Sequence, residues 1–347
     1  MIGALLVTLM SVTPQTAVTM LGTQPQMAAE GRRVGLVFGR EGAVYFASSR
    51  DGGRSFGEPA PLPRAGRLHL GNHRGPRVAL VDNTYVVTAI VGSGREDGDL
   101  LAWRSSDDGR TWIGPKHLNR VEASAREGLH GMASGGGLVA VAWLDLRGPG
   151  TRVYAAVSRD RGATWSEDFL AYESPSGSVC ECCHPSVAVS AKGELAIMFR
   201  NHVGGARDLY LVRSADGGPK PGPAVKLGQG TWLLDACPMD GGGLVFAGER
   251  GPVTAWRRDQ DVFLARPGAP EERLGEGRDP VVAATADGST YAAWRRGEAL
   301  VVASSREARP RVLAERGRAP VLLALGDGSL LAAWQQDERV VVAPVSP

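Results

Sequence analysis

The chain has 347 residues, with 39 basic and 37 acidic side chains and a formal charge of +2. That balance is too even for a surface built to hold nucleic acid or an anionic membrane. Hydrophobic residues at 43% and charged residues at 22% exclude wholesale disorder. Gly (47) and Pro (22) together make up about a fifth of the chain, which calls for many tight turns. No apolar run approaches the roughly 18 residues that a membrane-spanning helix requires. A turn-rich, all-β globular protein is the expectation.

The N-terminus opens on a short apolar run, residues 2–10 (IGALLVTLM), followed by small and polar residues. This length suits the hydrophobic region of a secretory signal, so export to a periplasm or the outside is expected. The positive segment that ordinarily precedes such a run is missing, since the first basic residue is Arg32. An ordinary strand is the alternative. Residues 1–25 are therefore read as a signal segment or a closing strand, and 26–347 as one domain.

From residue 49 the chain is dominated by a repeat. Ser49-Arg-Asp51-Gly-Gly53-Arg-Ser55-Phe56 follows the pattern S-x-D-x-G-x-[ST]-[WF], as do the segments 105–112 and 158–165, while Ser214-Ala-Asp216-Gly-Gly218 keeps the front half. The aspartates Asp51, Asp107, Asp160 and Asp216 are 56, 53 and 56 residues apart. In such a turn Asp accepts bonds from backbone amides, Gly supplies a backbone angle other residues avoid, and the aromatic fills space between strands. The octapeptide resembles the Asp-box of the sialidase/BNR-repeat β-propellers, where it closes the hairpin between the third and fourth strands of a blade. The resemblance implies a propeller of four-stranded antiparallel blades and gives the boxes a structural role.

Between boxes the chain reads as short alternating strands. Phe38, Ile90, Trp143, Phe199, Trp256, Trp294 and Trp334 recur at one second-strand position, spaced 52, 53, 56, 57, 38 and 40 residues apart. Seven positions predict seven blades, with six, the usual number in sialidases, as the alternative. The last repeat ends after its third strand, Arg339 to Val342. An N-terminal segment is expected to supply the missing edge.

Strand direction alternates within a blade, so innermost-strand starts and second-strand ends share one face, opposite the boxes. That rule gathers Arg77, His130, Asp145, Arg147, His184, Arg200, Asp240, Arg278 and Asp279 at one mouth. His73 and His202 lie beside them, and Glu249 and Arg295 read as further second-strand ends. Converging polar groups on a concave face are the expected ligand site. In sialidases three arginines hold the substrate carboxylate, the first in an F/Y-R-I-P motif, a Tyr–Glu pair is the nucleophile and an Asp is the acid/base. Here the first blade reads Gly31-Arg-Arg-Val-Gly-Leu, and Tyr45, Tyr154, Tyr210 and Tyr291 read as mid-strand packing residues. The sialidase mechanism is not expected. A carboxylate-based hydrolase remains open through Asp145, Asp240, Glu249 and Asp279, and an enzyme of this kind would be named an exo-α-sialidase-like glycoside hydrolase.

The least ordinary segment is Cys180-Glu-Cys182-Cys183-His184, joined one blade later by Cys237-Pro-Met-Asp240. Together they resemble a group of exported sialidase-like proteins carrying C-x-C-C and C-P-M-D motifs. Three readings compete. Two disulfides would include one tying a cysteine of the first group to Cys237 across neighbouring blades. Thiolates with His184 would suit copper or zinc, and a reactive thiol is the third. No cofactor is firmly implied. The leading expectation is a polar or acidic saccharide bound at the Arg/His/Cys-rich mouth, and the alternative is metal- or thiol-dependent chemistry at the cysteines. A protein partner on the propeller rim is a further possibility.

Overall fold

The computed structural model describes residues 17–94, 97–307 and 309–345. Their innermost strands are Thr23–Glu30, Arg77–Val81, His130–Gly135, Ser186–Val189, Gly243–Phe246, Arg278–Ala284 and Arg318–Ala324. Each is followed outward by antiparallel partners in its own sheet, giving seven sheets. The innermost strands touch in cyclic order, and the last touches the first. This is a closed propeller of seven blades; six is excluded. Among the described residues no helix is long and apolar enough to cross a membrane.

The second strand of each blade carries most of the core. Leu138–Asp145 is buried along its whole length, because a second strand packs against the neighbouring blade on each of its two faces. The recurring residue sits in this strand every time: Phe38, Ile90, Trp143, Phe199, Trp256, Trp294 and Trp334 are all 3% exposed or less. Alternation weakens there, and the large side chains become the more reliable register marks.

Ring closure comes from the N-terminal side. Val18–Leu21 pairs antiparallel with Arg339–Val345, with Val18 opposite Val342 and Leu21 opposite Arg339. The Gly22 N–H then donates to the Glu338 carbonyl at 2.9 Å, and the chain turns into the first innermost strand at Thr23. The propeller therefore includes residues before 26. Closure makes no demand on the apolar run 2–10, which lies outside the described residues.

The boxes repeat their hydrogen bonds atom for atom. Asp107 accepts from Ser105 Oγ, from the Thr111 N–H and from Thr111 Oγ1 at 2.8, 3.0 and 2.6 Å, and Asp160 and Asp51 do the same within their own turns. Asp216 lacks the Ser or Thr four residues on, and bonds only Ser214 Oγ and the Gly218 N–H. The turns also join blades. Gly109, at φ +82°, leaves room for Phe46 of the preceding blade, which a Cβ would approach to 2.3 Å. Trp112 packs edge-on against that same ring at 5.1 Å.

Two outcomes are expected for stability. Gly109→Ala should destabilise by about 2 kcal/mol or more, the left-handed backbone costing about 1–2 kcal/mol before Phe46 is displaced. Gly297→Ala, left-handed at φ +62° with no atom within 4 Å of its added Cβ, should show the backbone part alone; urea unfolding of both variants checks the difference. The second outcome concerns acid. Hydrogen bonds from Thr111 and Thr164 lower Asp107 and Asp160 from 3.8 to about 2. A depressed folded pKa gives stability that is present above 3.8 and lost as pH falls through about 2. Melting temperature should therefore drop across that window, and drop less steeply in Asp160→Asn.

Candidate functional site

The innermost strands enclose a channel of about 400 Å³ whose lining includes Gln24, His73, Arg77, His184 and Asp279. At one end, the innermost-strand starts bring His73, His184, Asp240 and Asp279 together. His73 Nε2 lies 3.1 Å from Asp279 Oδ1, and its ring stacks on His184 with centroids 4.6 Å apart. Asp279 adopts φ +57°, a left-handed conformation that a non-glycine residue keeps only when its surroundings hold it there. One holding contact is visible: the Asp279 N–H donates to Asp240 Oδ2 at 2.9 Å. Arg295 Nε and Arg278 Nε stand 3.4 and 3.9 Å from the Asp279 carboxylate, and neither has a hydrogen-bond partner.

The two carboxyls are driven apart. Burial, reinforced by the charge of Asp279, pushes Asp240 above the usual carboxylate range. For Asp279 burial acts in the same direction, but the His73 hydrogen bond and the charges of His73, Arg295 and Arg278 outweigh it and hold the carboxyl low. Such a split separates a potential proton donor from a fixed anion. Burial, with the His73 and Arg77 charges, pushes His184 well below an ordinary histidine. A neutral imidazole donating from Nε2 to the Gly242 carbonyl at 3.2 Å leaves Nδ1 as a bare lone pair without a partner.

The other predicted residues are engaged by partners of their own. Arg200 is 1% exposed and donates to the carbonyls of Asp240, Arg207 and Arg257. Arg77 is buried and donates to the His73, Gly75 and Pro76 carbonyls, so it shapes the loop that presents His73. Arg147 pairs with Asp145 and Asp168 and lies over the Tyr154 ring at 3.7 Å. Asp145 also accepts from Trp143 Nε1 and Ser124 Oγ, both at 2.9 Å. His130 is fully buried, 3.1 Å from Thr88 Oγ1. Tyr45, Tyr154, Tyr210 and Tyr291 all lie within strands.

Glu249 requires a correction. It sits in the short turn Gly248–Arg250 between an innermost and a second strand, which places it on the box face. There it pairs with Lys192 at 2.8 Å. The glycines 248 and 251, both at positive φ, reverse the chain; the true second-strand end is Arg257-Arg258.

Sequence reasoning missed a second cavity. A pocket of about 930 Å³ is lined by Arg67, His69, Leu70, Arg74, Arg126 and Glu127. His73 lines the channel and Arg74 the pocket, so the two adjoin at consecutive residues. Arg74 Nε donates to the Glu127 carbonyl at 2.6 Å. Burial raises Glu127 and lowers His69. Arg67 belongs to an extra two-residue strand, Arg67–Leu68, paired beyond the innermost strand on the end of Thr84–Gly92, outside the four-strand pattern. The signal available was the density of basic residues from Arg64 to Arg77.

The cysteines form one disulfide, Cys182–Cys237, joining neighbouring blades; Cys180 and Cys183 are free thiols. The reading of two disulfides is thereby corrected. Cys180, Cys182 and Cys183 Sγ atoms are close enough together to hold a metal ion, but the bond to Cys237 removes one thiolate from such a set. In this state copper or zinc would find two thiolates, Cys180 and Cys183.

Comparison with known proteins bears on the fold. Residues 77–225 match the BNR repeat-like domain, and no curated protein matches the sequence. A Trypanosoma rangeli sialidase in complex with sialic acid superposes with a TM-score of 0.51 at 12% identity, over 95% of this chain and 59% of that one. YCF48 from Cyanidioschyzon merolae gives 0.50 at 13% identity, over 95% and 98%. A Hadza microbial sialidase gives 0.49 at 16% identity, over 79% and 63%. The chain thus spans about 60% of the length of these sialidases, and at such identities the likeness is one of fold. The protein is a seven-bladed β-propeller of which residues 77–225 match the BNR repeat-like domain.

Proposed function

We propose that the chain binds an acidic saccharide on its mouth face, in the pocket beside the channel and across the channel entrance. One observation carries this reading: a pocket of about 930 Å³ with three arginines, Arg67, Arg74 and Arg126, in its wall, adjoining an entrance where Arg278 and Arg295 flank Asp279. Guanidinium groups suit carboxylates and sulfates because their donors are fixed in a plane. The resemblance to sialidases supports a sugar as the bearer of that charge. Arg77, Arg147 and Arg200 are occupied internally, so the contacts fall to the arginines that remain partly exposed. A bound sugar that is also cleaved would meet Asp240 and Asp279 as its acid/base pair, without a tyrosine nucleophile. Export completes the proposal, supported by a disulfide of the kind that persists in oxidising compartments.

Calorimetric titration against matched acidic and neutral oligosaccharides tests it. The acidic member should bind, more weakly as salt is raised. Arg126→Ala and Arg295→Ala should each weaken binding about tenfold or more, the ordinary value of a charge-assisted hydrogen bond. Equal binding of the neutral member, or indifference to both substitutions, would refute the assignment.

A further inference from the structure

The four cysteines are arranged by depth. Cys237 is exposed and Cys182 partly so, while Cys180 and Cys183 lie beneath them at 1% exposure each. Cys180 Sγ is 3.5 Å from Cys183 Sγ and 3.6 Å from Cys182 Sγ, the inner sulfur of the disulfide. Arg207 Nη1 donates to Cys180 Sγ at 3.2 Å, and the Asp240 N–H points to Cys183 Sγ at 3.4 Å. A staple serving only to join two blades needs no free thiol against it. Here a sulfur held by a guanidinium touches the bond, and a second thiol waits behind it.

We propose that these sulfurs form a thiol–disulfide relay, which carries two electrons from the buried Cys180/Cys183 pair to the surface pair Cys182/Cys237, where a disulfide of a small thiol or peptide collects them. In the first step the Cys180 thiolate attacks Cys182 Sγ; the Cys180–Cys182 bond forms, and Cys237 leaves as a thiolate. In the second step Cys183 gives its proton to the departed sulfur through solvent and attacks Cys180 Sγ, expelling the Cys182 thiolate. One S–S bond breaks and one forms each time, so the internal exchange needs no outside oxidant. The disulfide has moved inward and the dithiol outward. An external disulfide is then reduced to two thiols as Cys182–Cys237 re-forms.

The electrostatics agree with the roles. The hydrogen bond from Cys183, against burial and with help from Arg207, lowers the Cys180 thiol to about 6. Burial and the neighbouring sulfur raise Cys183. The first is therefore the standing nucleophile, and the second is the proton-bearing partner that resolves the intermediate.

The test uses the full chain, equilibrated in glutathione buffer to the state with one disulfide, then labelled with N-ethylmaleimide without denaturant and mapped by peptide mass. The relay predicts label on Cys182 and Cys237 with a Cys180–Cys183 bridge. It also predicts that Cys180→Ser keeps Cys182–Cys237 closed and slows surface labelling at least a hundredfold. Arg207→Gln, which retains every sulfur, should slow it about tenfold and serves if Cys180→Ser does not fold. Label reaching only Cys180 and Cys183, surface labelling unchanged in both variants, or a native mass carrying zinc or copper on four reduced cysteines would each overturn the proposal.

Discussion

A propeller depends on a closed ring of complete blades. Each blade presents one inner edge to the channel and one outer edge to solvent, and blades pack face to face, so the ring holds only if the last blade is complete. Here the seventh blade lacks its own outer strand, and Val18–Leu21 supplies it. The chain then enters the first innermost strand almost at once, which makes the first and seventh blades neighbours through covalent bonds as well as packing. Everything on the mouth face inherits its position from that closure. His73, Asp240 and Asp279 come from three different blades and meet only because the ring is closed.

The same closure explains why so few of the mouth's charges are free. Innermost strands converge, and the loops that begin them expose carbonyls that no ladder partner reaches. Arg77 and Arg200 satisfy four of those carbonyls, at His73, Gly75, Pro76 and Asp240, and Arg200 donates also to the carbonyls of Arg207 and Arg257. Buried guanidinium groups without carboxylate partners are costly unless their donors are filled, and the backbone fills them here. The result is a rigid frame around a smaller set of groups that face the cavity. Asp279, held left-handed between His73, Asp240 and two arginines, is where frame and cavity meet.

The architecture was legible because its signals are periodic. Three complete boxes and seven large second-strand residues recur at propeller spacing, and each maps onto the turn or strand that the spacing implies. The site was legible only by face. Alternating strand directions gather His184, Asp240, Arg278 and Asp279 at one end, yet they cannot separate an arginine whose donors stay free from one that bonds a carbonyl. That difference lies in side-chain direction at identical positions. Glu249 failed because glycines at 248 and 251 make a tight turn where a strand end was expected. The pocket around Arg67 and Arg126 escaped because its strand is an addition to the repeat. Among the cysteines, the partner of Cys237 was open to three candidates, and depth in the fold selects Cys182.

The central claim is that the mouth face is the working face, with its arginines meeting acidic groups of a sugar. A crystal structure of the chain with an acidic oligosaccharide bound tests it most directly. The account predicts the sugar in the pocket beside His73 and Arg74, with acidic groups within hydrogen-bonding distance of Arg67, Arg74 or Arg126 and one residue reaching toward Asp279. A sugar seated on the Asp-box face or along the outer strands of the blades would contradict it.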